Sequence, residues 1–155
     1  MLKYTDYNIV FQEIPNEVTL AINISNCPNC CNGCHSPWLM EDIGKELTEH
    51  TLHNLLNCYG SNITCVCFMG GDSNPKEVEK LALYTSHTFP QIKAGWYSGK
   101  DELPNGINPL SFKYIKLGGY IKALGGLNSK TTNQRLYAIE SNGIMNNLTG
   151  KFWKP

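Results

Sequence analysis

The sequence predicts one α/β domain over residues 1–155, built as a short, partial (open) β/α barrel. Three observations predict it. Stretches of strand composition alternate with stretches of helical periodicity, the arrangement of parallel β/α units joined by right-handed crossovers. The cysteine-rich and glycine-rich segments fall directly after strands, and in such folds ligands gather at the carboxyl ends of strands. Finally, 155 residues are too few for a full eight-unit barrel but enough for one domain with a sizeable core.

The first strand is predicted at Val18-Thr19-Leu20-Ala21-Ile22-Asn23-Ile24, where larger apolar residues alternate with period two. It runs into a stretch with four cysteines between Cys27 and Cys34, which places that cluster on a loop after a strand. Within residues 44–59, Leu52, Leu55, Leu56 and Tyr59 recur at helical spacing among polar positions, predicting a surface helix that ends near Gly60. The nearly unbroken apolar run of residues 63–69, bounded by Asn62 and Gly70-Gly71, reads as a strand buried on both faces. Asn74-Pro75-Lys76-Glu77 supplies an N-cap, a proline at the first helical position and a capping-box glutamate, with Val78, Leu81 and Ala82 as the apolar stripe. A third strand is predicted near residues 91–98. Farther on, Tyr114–Leu117, Arg135–Ile139 and residues 149–153 read as extended. The repeated Leu117-Gly118-Gly119 and Leu124-Gly125-Gly126 lack the spacing of a dinucleotide loop and read as tight turns.

Composition narrows the function. Thirteen basic and thirteen acidic residues cancel, only 17% of the chain is charged, and no Lys/Arg-rich run occurs, which argues against nucleic acid or an anionic membrane surface as partner. A hydrophobic fraction of 41% suits a folded domain, and no apolar stretch approaches the roughly 18 residues that would span a bilayer. The start, MLKYTDYNIV, lacks the features of an export signal, so a cytoplasmic location is expected and the Asn-X-Ser/Thr triplets at Asn23, Asn62 and Asn147 are read as chance matches. In a reducing compartment, seven cysteines, an odd number, point to metal ligation rather than disulfides.

In Cys27-Pro-Asn-Cys30-Cys31-Asn-Gly-Cys34-His35, the choice of Cys27, Cys31 and Cys34 gives CxxxCxxC. Three thiolates can hold three corners of a cubane iron–sulfur cluster and leave the fourth iron open to a substrate. Spacing alone is equally compatible with a structural zinc site, in which Cys27 and Cys30 are completed by Cys31, Cys34 or His35. No distant Cys-x-x-Cys pair accompanies it, however, and four ligands within eight residues are strained for zinc. A four-cysteine electron-transfer cluster is the third option, hampered by the adjacency of Cys30 and Cys31.

Taken together, CxxxCxxC continued as Cys31-Asn-Gly-Cys34-His35-Ser-Pro, Gly70-Gly71-Asp72, Trp96-Tyr97-Ser98-Gly99 and Thr132-Asn133-Gln134-Arg135 resemble the radical S-adenosylmethionine (SAM) enzymes. Within them the sequence is most similar to the small activating proteins of anaerobic ribonucleoside-triphosphate reductase. The resemblance implies an open barrel of the radical SAM type. Cys27, Cys31 and Cys34 would ligate a 4Fe-4S cluster, with Cys30 a bystander. S-adenosyl-L-methionine would chelate the open iron, and reductive cleavage would give a 5′-deoxyadenosyl radical that takes a hydrogen from a glycine of the separate reductase. A low-potential electron donor is implied as a second partner.

On the same footing, Gly33, Cys34 and His35 would pass close to the cofactor. Gly70 and Gly71 would let backbone approach its amino group, Asp72 would add a polar contact or fix the turn, and Ser98 and Asn133 would be further contacts. Met69 stands where many relatives carry a small hydroxyl residue, and Gly33 replaces their common aromatic, as is usual in the activating subgroup. Residues 11–16 do not match the glycine-rich start of many relatives. The competing functions are another small radical SAM enzyme with a different substrate and a zinc-stabilised interaction module.

Other residues read as structural. Cys65 and Cys67 share one face of a strand and suit core packing, and Cys58 is assigned the same role. Trp96 and Tyr97 read as core aromatics, and Gln134 as a turn or cofactor contact. His50 and His53 have i, i+3 spacing but no third local ligand.

Overall fold

The computed structural model describes residues 1–29 and 37–153. In chain order the regular elements are β1 (Leu2–Val10), β2 (Thr19–Ile24), β3 (Lys45–Leu47), α1 (Glu49–Tyr59), β4 (Cys65–Met69), α2 (Pro75–Thr88), β5 (Lys93–Tyr97), β6 (Tyr114–Leu117), β7 (Arg135–Ile139) and β8 (Met145–Asn147). The eight strands form one sheet in the order β3-β1-β2-β4-β5-β6-β7-β8. Its centre, β2-β4-β5-β6, is parallel, while β1 and β3 on one side and β7 and β8 on the other are antiparallel to their neighbours. The sheet does not close: short strands β3 and β8 stand at its two edges. The fold is thus α/β and open, as expected, but mixed rather than wholly parallel.

Alternation along β4 shows how the sheet separates its two faces. Val66 and Phe68 join the larger core with Leu52 and Leu56 of α1 and Val78 and Leu81 of α2. Cys65 and Cys67 point the other way, into a smaller cluster with Ile14, Tyr114 and Leu136, against which Tyr97 and Phe152 pack. Both helices therefore lie on one face, and loop and tail segments cover the other.

α2 begins as its sequence predicts, with the Asn74 side chain accepting from the Glu77 N–H. The Asn74 N–H donates at 3.0 Å to the Gly71 carbonyl. The first turn of α2 is thereby tied to the loop that follows β4.

The differences from the expected elements have local causes. The helix expected within residues 44–59 starts only at Glu49, because Thr48 caps it and residues 45–47 pair with β1. Leu47 buries its side chain from that edge strand. Residues 149–153 are not extended; Thr149–Phe152 forms a 3-10 turn, since the Thr149 hydroxyl accepts the Leu136 N–H and its own N–H donates to Asn147 Oδ1. β1 and β8 have no period-two apolar pattern. They are held by pairing to β2 and β7. Cys58 is exposed on α1 and is not a core residue. Among the described residues, no helix is long and apolar enough to cross a membrane.

Candidate functional site

The carboxyl ends of β2, β4, β5 and β6 lie side by side, and antiparallel β7 begins at the same edge of the sheet. Each end releases one of the segments singled out in the sequence. After β2 the chain turns through Asn26, which adopts a left-handed φ of +60°, and reaches Cys27. The Cys27 N–H donates to the Leu39 carbonyl at 2.8 Å and the Asn26 N–H to that of Glu41 at 3.1 Å. These two bonds fasten the neck of the cysteine loop.

After β4, Gly70 and Gly71 adopt φ of +116° and +94°, which side chains disfavour. A Cβ on Gly70 would come within 3.1 Å of the Ile24 carbonyl, and one on Gly71 within 2.4 Å of Val78 Cγ2. The glycines let the turn lie against β2 and α2. Gly70 is also fixed from β5, because its N–H donates to the Tyr97 carbonyl and its own carbonyl accepts from Trp96 Nε1.

Asp72 joins three of these segments. Its Oδ1 accepts from the Ser98 hydroxyl at 2.6 Å, and its Oδ2 accepts from the Gly99 N–H at 2.8 Å and from Asn29 Nδ2 at 2.6 Å. The carboxylate is largely buried, so these charge-assisted bonds replace lost hydration. Asn29 belongs to the cysteine stretch, two residues after Cys27, and its Nδ2 also donates to Cys27 Sγ at 3.5 Å.

The segments enclose a cavity of about 320 Å³ whose wall includes Cys27, Asn29, Gly70, Asp72, Lys116 and Gln134. A second hollow of about 960 Å³ shares Asn29, Gly99, Gly119 and Tyr120 with it and is bounded also by Asn133. Lys116 is a nearly buried cation on this wall. Its Nζ donates to the Ser98 carbonyl at 2.9 Å and the Gly118 carbonyl at 3.0 Å, and lies 5.3 Å from the Tyr97 ring centroid. It ties the ends of β5 and β6 together. The Asn133 amide donates to the Gly119 carbonyl, while its buried Oδ1 has no hydrogen-bond partner.

Comparisons with protein-family models, with curated proteins and with solved structures found no match. The chemistry of the site is therefore read from its own residues. Of the expected site residues, Cys27, Gly70 and Asp72 line the smaller cavity and Asn133 the larger. Gly71 and Ser98 stand behind the wall; Ser98 is fully buried and its hydroxyl is committed to Asp72. Cys30, Cys31, Gly33, Cys34 and His35 lie outside the described residues. Among the described residues, no group of three or more His, Cys, Asp or Glu side chains is placed to hold a metal ion. His53 Nδ1 lies 2.8 Å from the Tyr84 hydroxyl and His50 Nε2 3.3 Å from Asn54 Nδ2, so the two histidines serve separate contacts.

Asn29 and Lys116 were not singled out from the sequence. Lys116 had a signal, a cation inside the otherwise apolar Tyr114–Leu117 strand; Asn29 had none beyond its place among the cysteines.

The face of the sheet away from the helices, which Tyr97 shares with the cavity wall, contains groups that stay neutral. Burial pushes the Cys65 thiol up to about 12, with the Glu17 carboxylate adding to it, and holds Cys67 and Tyr97 well above their ordinary ranges. At the opposite ends of the strands, Glu17 accepts from Tyr114, Thr64 and Lys93. Burial opposes its charge, but these three partners together hold its carboxyl below the ordinary value.

Proposed function

We propose that this chain is a radical SAM activating enzyme, which generates a glycyl radical on an anaerobic ribonucleoside-triphosphate reductase. One observation supports this reading above the others. The Cys27 loop, the Gly70-Gly71-Asp72 turn and the end of β5 meet at one cavity, joined through the Asp72 carboxylate. In this reading Cys27 holds a 4Fe-4S cluster together with Cys31 and Cys34.

The residues present fit such a site. Cys27 lines the cavity, Gly70 at φ +116° keeps that part of the wall free of a side chain, and the orphaned Asn133 Oδ1 beside the adjoining hollow suits a ligand N–H or O–H. Bound there, the cluster and S-adenosyl-L-methionine would supply hydrogen-atom abstraction, driven by one-electron reduction of the sulfonium. The chain's own part is to orient these groups and to exclude water. Gly70 leaves room at the wall by lacking a side chain, Lys116 places a positive charge there, and Asp72 fixes the turns that shape it. The open sheet also suits a substrate that is a polypeptide loop, and the electron would come from a low-potential donor.

Anaerobic reconstitution with iron and sulfide tests the metal assignment. Cys27→Ala, Cys31→Ala and Cys34→Ala each lose the cluster, whereas Cys30→Ala keeps it. Stoichiometric zinc without iron or sulfide in the wild-type chain would reject the proposal in favour of a zinc-stabilised interaction module.

A further inference from the structure

The geometry points to Asn29 as the residue that positions the Cys27 sulfur and tunes the metal centre it holds. The inference rests on the proposed function for the metal, but not for the contact itself. Asn29 Nδ2 carries two hydrogens. One is donated to Asp72 Oδ2 at 2.6 Å and the other to Cys27 Sγ at 3.5 Å.

The two contacts have different strengths and different roles. The short bond to a largely buried carboxylate anchors the amide to the body of the fold, because Asp72 is itself held by Ser98 and Gly99 at the end of β5. The longer bond passes that anchorage to the sulfur. Gly99 makes room for the arrangement, since a Cβ there would sit 2.5 Å from Asn29 Nδ2. Thus a turn 70 residues downstream in the chain fixes the side chain beside Cys27.

A hydrogen bond into a ligating thiolate withdraws electron density from the sulfur and fixes its direction. Both effects act on the metal. Weaker donation from sulfur favours the reduced cluster, which raises its reduction potential, and a fixed sulfur slows ligand loss. Asn29 is a positioning residue in this account, acting through Cys27 and not on a substrate.

Two variants attack the contact from opposite sides. Asn29→Leu removes the donor while keeping the branching of the side chain, and Gly99→Ala displaces it while leaving the polar groups of Asn29, Asp72 and Cys27 present. As a control, Asp42→Ala loosens the loop neck at its exposed contacts with Lys3 and Asn26 without touching Asn29.

On reconstituted protein without SAM, both test variants should hold iron and sulfide. They should lose iron to bathophenanthroline roughly 10-fold faster than wild type, the low end for an outer-shell partner. In titrations followed by electron paramagnetic resonance, their midpoint potentials should move negative. Wild-type rate and midpoint in Asn29→Leu would overturn the inference, as would equal changes in Asp42→Ala.

A metal-free double-mutant cycle in urea, combining Asn29→Leu with Asp72→Asn under reducing conditions, tests separately the clasp that the Asn29–Asp72 bond makes between the cysteine stretch and the turn after β4. Non-additive unfolding supports it, and additive unfolding overturns it. If the wild-type chain takes up no iron, the proposed function fails and the cycle alone decides whether the clasp exists.

Discussion

Asp72 and Glu17 are two carboxylates buried at opposite ends of the same strands, and each binds several segments through charge-assisted bonds. Glu17 has a testable pH dependence. Its carboxyl sits below its ordinary value of 4.5 in the fold. The stability it contributes is therefore complete above that value and is lost as pH falls through the lower folded value. Glu17→Gln should cost about 2 kcal/mol at neutral pH, typical of hydrogen bonds to a buried charge. In urea titrations the difference from wild type should shrink below pH 4.5; a cost independent of pH would contradict the assignment.

The buried Cys65 and Cys67 titrate in the opposite sense. Cys65 ionises only at about 12 in the fold and at its ordinary 9.0 when unfolded, so this group lowers stability as pH rises above 9.0. In folded protein at pH 8, iodoacetamide should label Cys58 and spare Cys65 and Cys67 until urea unfolds the chain, as peptide mapping by mass spectrometry can show. The sequence already placed Cys65 and Cys67 in the core, because a period of two puts them on one strand face. It misplaced Cys58, since on a short helix one position decides between burial and solvent.

Among the elements, those with strong local signals were legible. β4 is a dense apolar run, and α2 carries its cap, its proline and its stripe in consecutive residues. β1, β3 and β8 were not legible, because pairing to a neighbour holds them rather than their own apolar pattern. The turn between β4 and α2 lies between these cases: paired glycines marked it as a turn, but only the fold shows what they pack against. Gly71→Ala would force a φ of +94° on a side chain that meets Val78. It should cost about 2 kcal/mol through backbone strain, before any repacking of Val78. The urea midpoint of the metal-free protein measures this, and an unchanged midpoint would show that the turn can relax. Because the turn carries Gly70 and Asp72, the same variant should also weaken iron retention.

For the molecule as a whole, strand order determines what can meet. The antiparallel flanks of the sheet carry no signal in the sequence, yet its parallel centre was readable from alternating strand and helix signals. That centre brings the cysteine loop, the Gly70-Gly71-Asp72 turn and the end of β5 to one edge. The convergence was inferred from position after strands; its chemical basis, an aspartate accepting from both the cysteine stretch and the end of β5, is visible only in the folded chain. Asn29 and Lys116 stayed hidden because their roles depend on neighbours distant in the chain.

Radical transfer from this cavity to a protein glycine can be tested by incubating the reconstituted, reduced chain anaerobically with S-adenosyl-L-methionine and the anaerobic reductase and recording the electron paramagnetic resonance spectrum. A glycyl-radical signal is expected on the reductase, and it should disappear when the target glycine is replaced by alanine or when Cys27→Ala is used. Release of 5′-deoxyadenosine with no glycyl signal would contradict the assigned substrate, leaving a radical enzyme that acts elsewhere.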